Sequence, residues 1–152
     1  YKRQASACLC ELRPVEIPYR RTFHREHWGV IMKKVINELP TRLEAGGVCF
    51  QGENWGELNV SRVRFPAGAD ATPLLEGLPD NLCQCPHWGT VVKGSIHVTY
   101  ADGTEETVNA GEVYYWPPGH TVRVDEDYEA IEFSPGDQMG ELMNHLETKL
   151  KG

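Results

Sequence analysis

Cys83-Gln84-Cys85-Pro86-His87-Trp88-Gly89 is the stretch on which the fold turns, read together with Pro117-Pro118-Gly119-His120 further along the chain. Two thiols and an imidazole occupy every second position, 83, 85 and 87. Alternate side chains of an extended strand share a face, so one short segment can aim up to three soft or borderline donors at one point. A further imidazole, His120, follows a Pro-Pro-Gly turn that restricts where it can point. The pattern predicts a small β-barrel with a metal or ligand site in its mouth.

Working outward, residues 82–92 read as one strand carrying the Cys83/Cys85/His87 face, stopped by Lys93-Gly94. Residues 95–100 alternate, with Ile96, Val98 and Tyr100 on one side and His97 and Thr99 on the other, and Asp102-Gly103 is a hairpin signal. Strands are also expected at 106–109, 113–116, 121–124 and 128–133, and upstream at 48–50 and 58–65. The 58–65 run slips phase near Ser61, which reads as a bulge. Residues 66–81, punctuated by Pro66, Gly68, Pro73, Gly77 and Pro79, read as a long connection with one helical turn at 73–76.

Two helices flank the strands. Thr22 can cap the first, along which Trp28, Ile31, Val35, Ile36 and Leu39 fall on one face before Pro40 stops it. Ser134 or Asp137 can cap the second, with Pro135 in its first turn. Its apolar stripe is Met139, Leu142, Met143, Leu146 and Leu150. The expectation is one mainly β domain: an irregular arm and helix over 1–46, a double-sheet jelly-roll barrel over 47–136, and a C-terminal helix over 137–152.

Charge is unevenly placed. Residues 1–34 hold eight Lys/Arg against three acids, whereas the remainder holds seven bases against nineteen acids. An acidic body argues against nucleic acid as a ligand, and no apolar run reaches the roughly 18 residues that cross a bilayer. Five cysteines, Cys8, Cys10, Cys49, Cys83 and Cys85, make an odd count without a secretory pattern. That points to a reducing, cytoplasmic setting with thiols as ligands or packing groups.

Gly94 with the preceding Val91-Val92-Lys93, the Asp102-Gly103 hairpin, and the run from Gly111 to His120 resemble the two motifs of the cupin superfamily, over about residues 58–134. The resemblance implies an antiparallel jelly roll, often a homodimer, with a divalent metal inside the barrel. The motif positions are filled unusually. Counting back from Gly94, His87 stands at the glutamate position, Cys83 at the second histidine and Asn81 at the first. Val122 occupies the usual second-motif histidine position, and His120 instead follows Gly119 directly. This arrangement is similar to a cupin subgroup with a Pro-Pro-Gly-His second motif.

The candidate metal ligands are therefore Cys83, Cys85, His87 and His120, with zinc the favoured ion because thiolate and imidazole donors select it. All four would make a closed structural set, and three would leave a position open for substrate. The alternatives are hydrogen-bonded core histidines and cysteines acting as small buried apolar groups. Trp88, Tyr100, Tyr115, Trp116 and Tyr128, with Tyr114, are candidates to line a small-molecule pocket. Glu132, on the Tyr128/Ala130 face, is a general-base candidate beside its alternative as an exposed acid. His97 reads as a surface residue; His24, His27 and His145 have no evident partner, and Cys8-x-Cys10 is a pair of arm thiols. Two functions follow: metal-assisted isomerase, lyase or hydrolase chemistry on a small organic molecule, or a non-enzymatic ligand-sensing or structural module. Thiol-dioxygenase chemistry fits less well, since it typically wants three histidines on iron.

Overall fold

Turn residues and the alternation between them set the strands. Gly94 adopts φ +76°, and a Cβ there would collide with the Asp127 carbonyl oxygen, so this motif turn admits only glycine. The computed structural model describes residues 33–151. Its strands are β1 (Thr41–Ala45), β2 (Val48–Trp55), β3 (Leu58–Phe65), β4 (His87–Lys93), β5 (Ser95–Tyr100), β6 (Glu105–Asn109), β7 (Val113–Trp116), β8 (His120–Arg123) and β9 (Tyr128–Pro135), followed by helix α1 (Gly136–Lys151). Strands β1-β2-β3-β9-β4-β7 form one antiparallel sheet and β6-β5-β8 a second, the two-sheet architecture expected of a jelly roll.

Buried side chains form two apolar clusters. One holds Val91, Ile96, Val98, Val108, Tyr128 and Ala130, with Trp116 at its margin. The other joins Leu43, Leu75 and Cys83 to Met139, Leu142, Met143 and Leu146 of α1. The helix stripe thus packs its apolar side chains against β1, the 3-10 turn Thr72–Leu75 and Cys83. Leu150, the last residue of that stripe, is exposed.

The structure departs from expectation in four places. Most of the helix expected over 22–39 lies outside the described residues, and within them residues 33–35 are not helical and Ile36–Glu38 is a single 3-10 turn. Strand β1 was not foreseen, because its Thr-Arg-Leu-Glu-Ala sequence has one buried apolar residue, Leu43, and no strong alternation. There is no bulge at Ser61: β3 pairs with β9 in unbroken register from Leu58↔Pro135 to Phe65↔Tyr128. Its inward face is simply polar at two positions, Asn59 and Ser61, which bond to each other, while Asn59 Nδ2 donates to Asn54 Oδ1 at 2.8 Å. Finally, the strand expected over 82–92 begins only at His87. Pro86 has no N–H to give to a ladder, and Cys83 instead makes an isolated bridge with His120.

Candidate metal centre

That bridge brings the two distant motifs together. Cys83 N–H donates to the His120 carbonyl at 2.8 Å, and Gly119 N–H donates to the Cys83 carbonyl at 2.7 Å. His87 opens β4 and His120 opens β8, and each is buried, at 6% and 2% exposure. The imidazole centroids lie 5.3 Å apart at 78°. Among the described residues, Cys83, His87 and His120 each offer one ligand atom, all within 4.8 Å of one another.

The ring orientations are fixed from behind. His120 Nδ1 lies 2.7 Å from the Pro117 carbonyl, which can only accept, so Nδ1 carries the proton and Nε2 keeps its lone pair. His87 Nδ1 lies 2.8 Å from Ser134 Oγ, and its Nε2 lies 3.5 Å from Cys83 Sγ. Anchoring the rear nitrogen on a backbone carbonyl or a hydroxyl is how ligating histidines are held. Burial pulls the His87 imidazole down to about 4. Burial, then the neighbouring His87 ring, does the same to His120. Both rings are therefore neutral donors at physiological pH. Burial pushes the Cys83 thiol up to about 12, so it is protonated until an ion displaces the proton. Two imidazoles and a sulfur with no cation among them fit a divalent metal.

Glu132 projects from β9 into the same space and is 5% exposed. Tyr114 Oη donates to its Oε1 at 2.8 Å, and its Oε2 lies 3.9 Å from His87 Nδ1. Burial raises this carboxyl to about 6 against the lowering effect of the tyrosine bond. The alternative of an exposed acid does not hold. Burial also keeps the Tyr114 phenol protonated, as a donor.

Cys85 stands apart from the three-residue group. The chain at 83–86 is not an extended strand, so alternation does not carry Cys85 to the Cys83 side. Its thiol meets the Pro86 carbonyl at 3.6 Å, and burial raises it to about 12. Of the aromatic candidates, Trp116 lines the cavity in front of the centre. Trp88 and Tyr115 lie on the outer face of the large sheet, 44% and 50% exposed, stacked with centroids 4.8 Å apart. Tyr128 is buried against Phe65, and Tyr100 donates to Glu106 on the small sheet. Strand phase turns Trp88 and Tyr115 outward, whereas Tyr128 and Tyr100 keep the inward phase of Glu132 and His120 but pack away from the cavity lining. His97 lies on the outer side of its hairpin, bonded to Thr107 and Asp125.

The cavity is about 70 Å³. It is lined by Cys83, His87, His120 and Glu132 together with the apolar side chains of Phe50, Phe65, Leu74, Leu75, Leu142 and Leu146. Sequence reasoning missed three contributors. Ser134 was legible as the next member of the Tyr128/Ala130/Glu132 face. The Pro117 carbonyl left no signal, being backbone. The leucines of the 3-10 turn Thr72–Leu75 belong to a connection whose tertiary position has no local signature.

No described protein family matches the sequence, and no curated protein matches it. Solved structures do. A point variant of Bacillus subtilis oxalate decarboxylase is 20% identical with a TM-score of 0.51, over 66% of this chain and 28% of that one. An RmlC-like cupin from Shewanella frigidimarina is 19% identical with a TM-score of 0.53, over 70% of this chain and 93% of that one. The decarboxylase has Mn(II) centres, and this chain spans less than a third of its length. The fold is that of the cupin superfamily. The described residues form one two-sheet unit carrying a Cys83/His87/His120 group that could hold a metal ion.

Proposed function

We propose that this chain is a small metal-dependent cupin in which Cys83, His87 and His120 hold one divalent ion, zinc by preference, in the lining of an apolar cavity. The observation that carries the reading is the 3.5 Å between Cys83 Sγ and His87 Nε2, beside a His120 ring whose rear nitrogen is already committed to Pro117. Zinc–sulfur and zinc–nitrogen bonds of about 2.3 and 2.05 Å at a tetrahedral angle would put those donors about 3.6 Å apart. Three protein donors leave a fourth position for substrate, the arrangement of catalytic zinc.

Zinc, when bound, supplies Lewis acidity. The chain supplies the rest. Glu132, buried beside the centre, can take or return a proton near neutral pH, and Tyr114 holds it in place. The leucine and phenylalanine walls keep bulk water out. This set suits isomerisation, lyase or hydrolytic chemistry on a small organic molecule. Elemental analysis of protein purified without added metal tests it. About one equivalent of zinc is expected, lost in Cys83→Ser and His120→Ala and kept in Cys85→Ser. Absence of metal near one equivalent, or all three variants behaving alike, would defeat the reading. An X-ray absorption spectrum with four protein donors would move the assignment to a structural or sensing module.

A further inference from the structure

The outer face of the large sheet is unusually apolar over one half. On β4, β7 and β9 the side chains that alternate with the buried ones turn outward, and among them Trp88, Val113, Tyr115 and Phe133 are 44%, 81%, 50% and 41% exposed. Trp88 pairs with Tyr115 on one side and Phe133 on the other, so the three aromatic side chains form a row across β7, β4 and β9. Leu58, outward on β3, extends the apolar area. Scattered exposed apolar side chains are ordinary, whereas a contiguous aromatic patch marks an interaction surface.

Charge says what fits there. The acids beside the patch are matched where they stand: Glu129 by Arg62 at 2.8 Å, Glu53 by Lys34 at 2.8 Å, and Asp127 by Lys93 at 3.4 Å. Yet from residue 35 onward the chain holds seven bases against nineteen acids. The surplus acid therefore lies away from this face, for example at Glu105 and Glu106 on β6. A strongly basic or acidic partner would find no unmatched charge on the face to pair with. Two copies of this acidic body repel wherever their surplus acids meet, and here they meet without that cost. The row is also self-complementary. A two-fold axis along β4 through Trp88 lays Tyr115 of each copy on the other copy's Phe133. Six strands about 4.8 Å apart, each up to about eight residues long, make a face on the order of 24 Å by 26 Å. As corrugated accessible surface that approaches the roughly 800 Å² per partner of a standard interface.

From this we infer that the outer face of the large sheet docks a second copy of this chain, aromatic row against aromatic row, in a two-fold dimer. The inference goes beyond the function proposed above and does not depend on the metal.

Sedimentation equilibrium of the full chain near neutral pH tests it, together with hydroxyl-radical footprinting of Trp88 and Tyr115. The parent protein is expected at about twice the 17.1 kDa chain mass, with both aromatic side chains protected. Tyr115→Lys and Phe133→Lys, at exposed positions where the fold does not depend on the side chain, should each weaken association at least about thirtyfold. Trp88 should then become reactive in both. Thr99→Lys, on the outer face of the small sheet, should leave the dimer as it is. Raising the salt concentration should change association little, because the contact is apolar. A parent that sediments as a monomer would overturn the inference. So would a dimer that both lysine variants leave intact, one that Thr99→Lys weakens equally, or one that dissociates steeply with salt.

Discussion

Glycine at position 89 makes room for a tyrosine. Gly89 pairs with Tyr114 on β7 and Glu132 on β9, and the Tyr114 phenol lies over the place where a Cβ would stand. The ring can then reach across β4 and donate to Glu132. Removing that donor in Tyr114→Phe should raise the Glu132 carboxyl above its already elevated value of about 6, because the bond is what lowers it. It should also destabilise the fold by about 1–3 kcal/mol through the unpaired acceptor. Gly89→Ala should move Glu132 in the same direction by displacing the phenol. Carbon-detected NMR titration of Glu132 and denaturant unfolding check both variants; an unmoved or lowered carboxyl would refute the role. At this scale His87 and His120 were legible because turns flank them. Cys85 is not separable from Cys83 in the sequence, since alternation puts both on one face only in an unbroken strand, and residues 84–86 form none.

Elements were readable where period and turn chemistry agreed. The hairpin of β5 and β6 places Ile96 and Val98 fully inside, as its alternation predicts. The stripe of α1 buries Met139, Leu142, Met143 and Leu146. What the pattern left open was where that stripe docks. His145, without evident partner in the sequence, places its Nε2 3.1 Å from the Leu74 carbonyl and so ties α1 to the 3-10 turn Thr72–Leu75. Breaking that tie in His145→Ala should cost about 1 kcal/mol of global stability. The specific effect should be faster amide exchange in the turn and α1, with β5 and β6 unaffected. Uniform acceleration throughout the domain would show that the bond does not act locally.

Three groups buried in the centre, His87, His120 and Glu132, titrate on the acid side, whereas burial keeps the Cys83 thiol protonated there, and their pH linkage predicts how the metal-free fold responds to acid. His87 and His120 each fall from 6.5 to about 4 on folding. Between those values the unfolded chain binds protons that the folded one refuses, so stability drops as pH falls, by up to about 3 kcal/mol for each ring. Glu132 works in reverse. Its rise from 4.5 to about 6 means that the folded chain holds the proton, so acidification across that window restores about 2 kcal/mol. Two imidazoles outweigh one carboxyl, and the onset near pH 6.5 belongs to the histidines alone. The melting temperature of the metal-free protein should therefore fall as pH drops from about 7 to 5, less steeply than the two rings alone would dictate because Glu132 takes up its proton over the same range. A double His87→Gln/His120→Gln variant should reverse the trend and gain stability on acidification through the Glu132 window. A melting temperature that is flat or rising in the parent protein over this range would mean that the two rings are not buried as neutral groups.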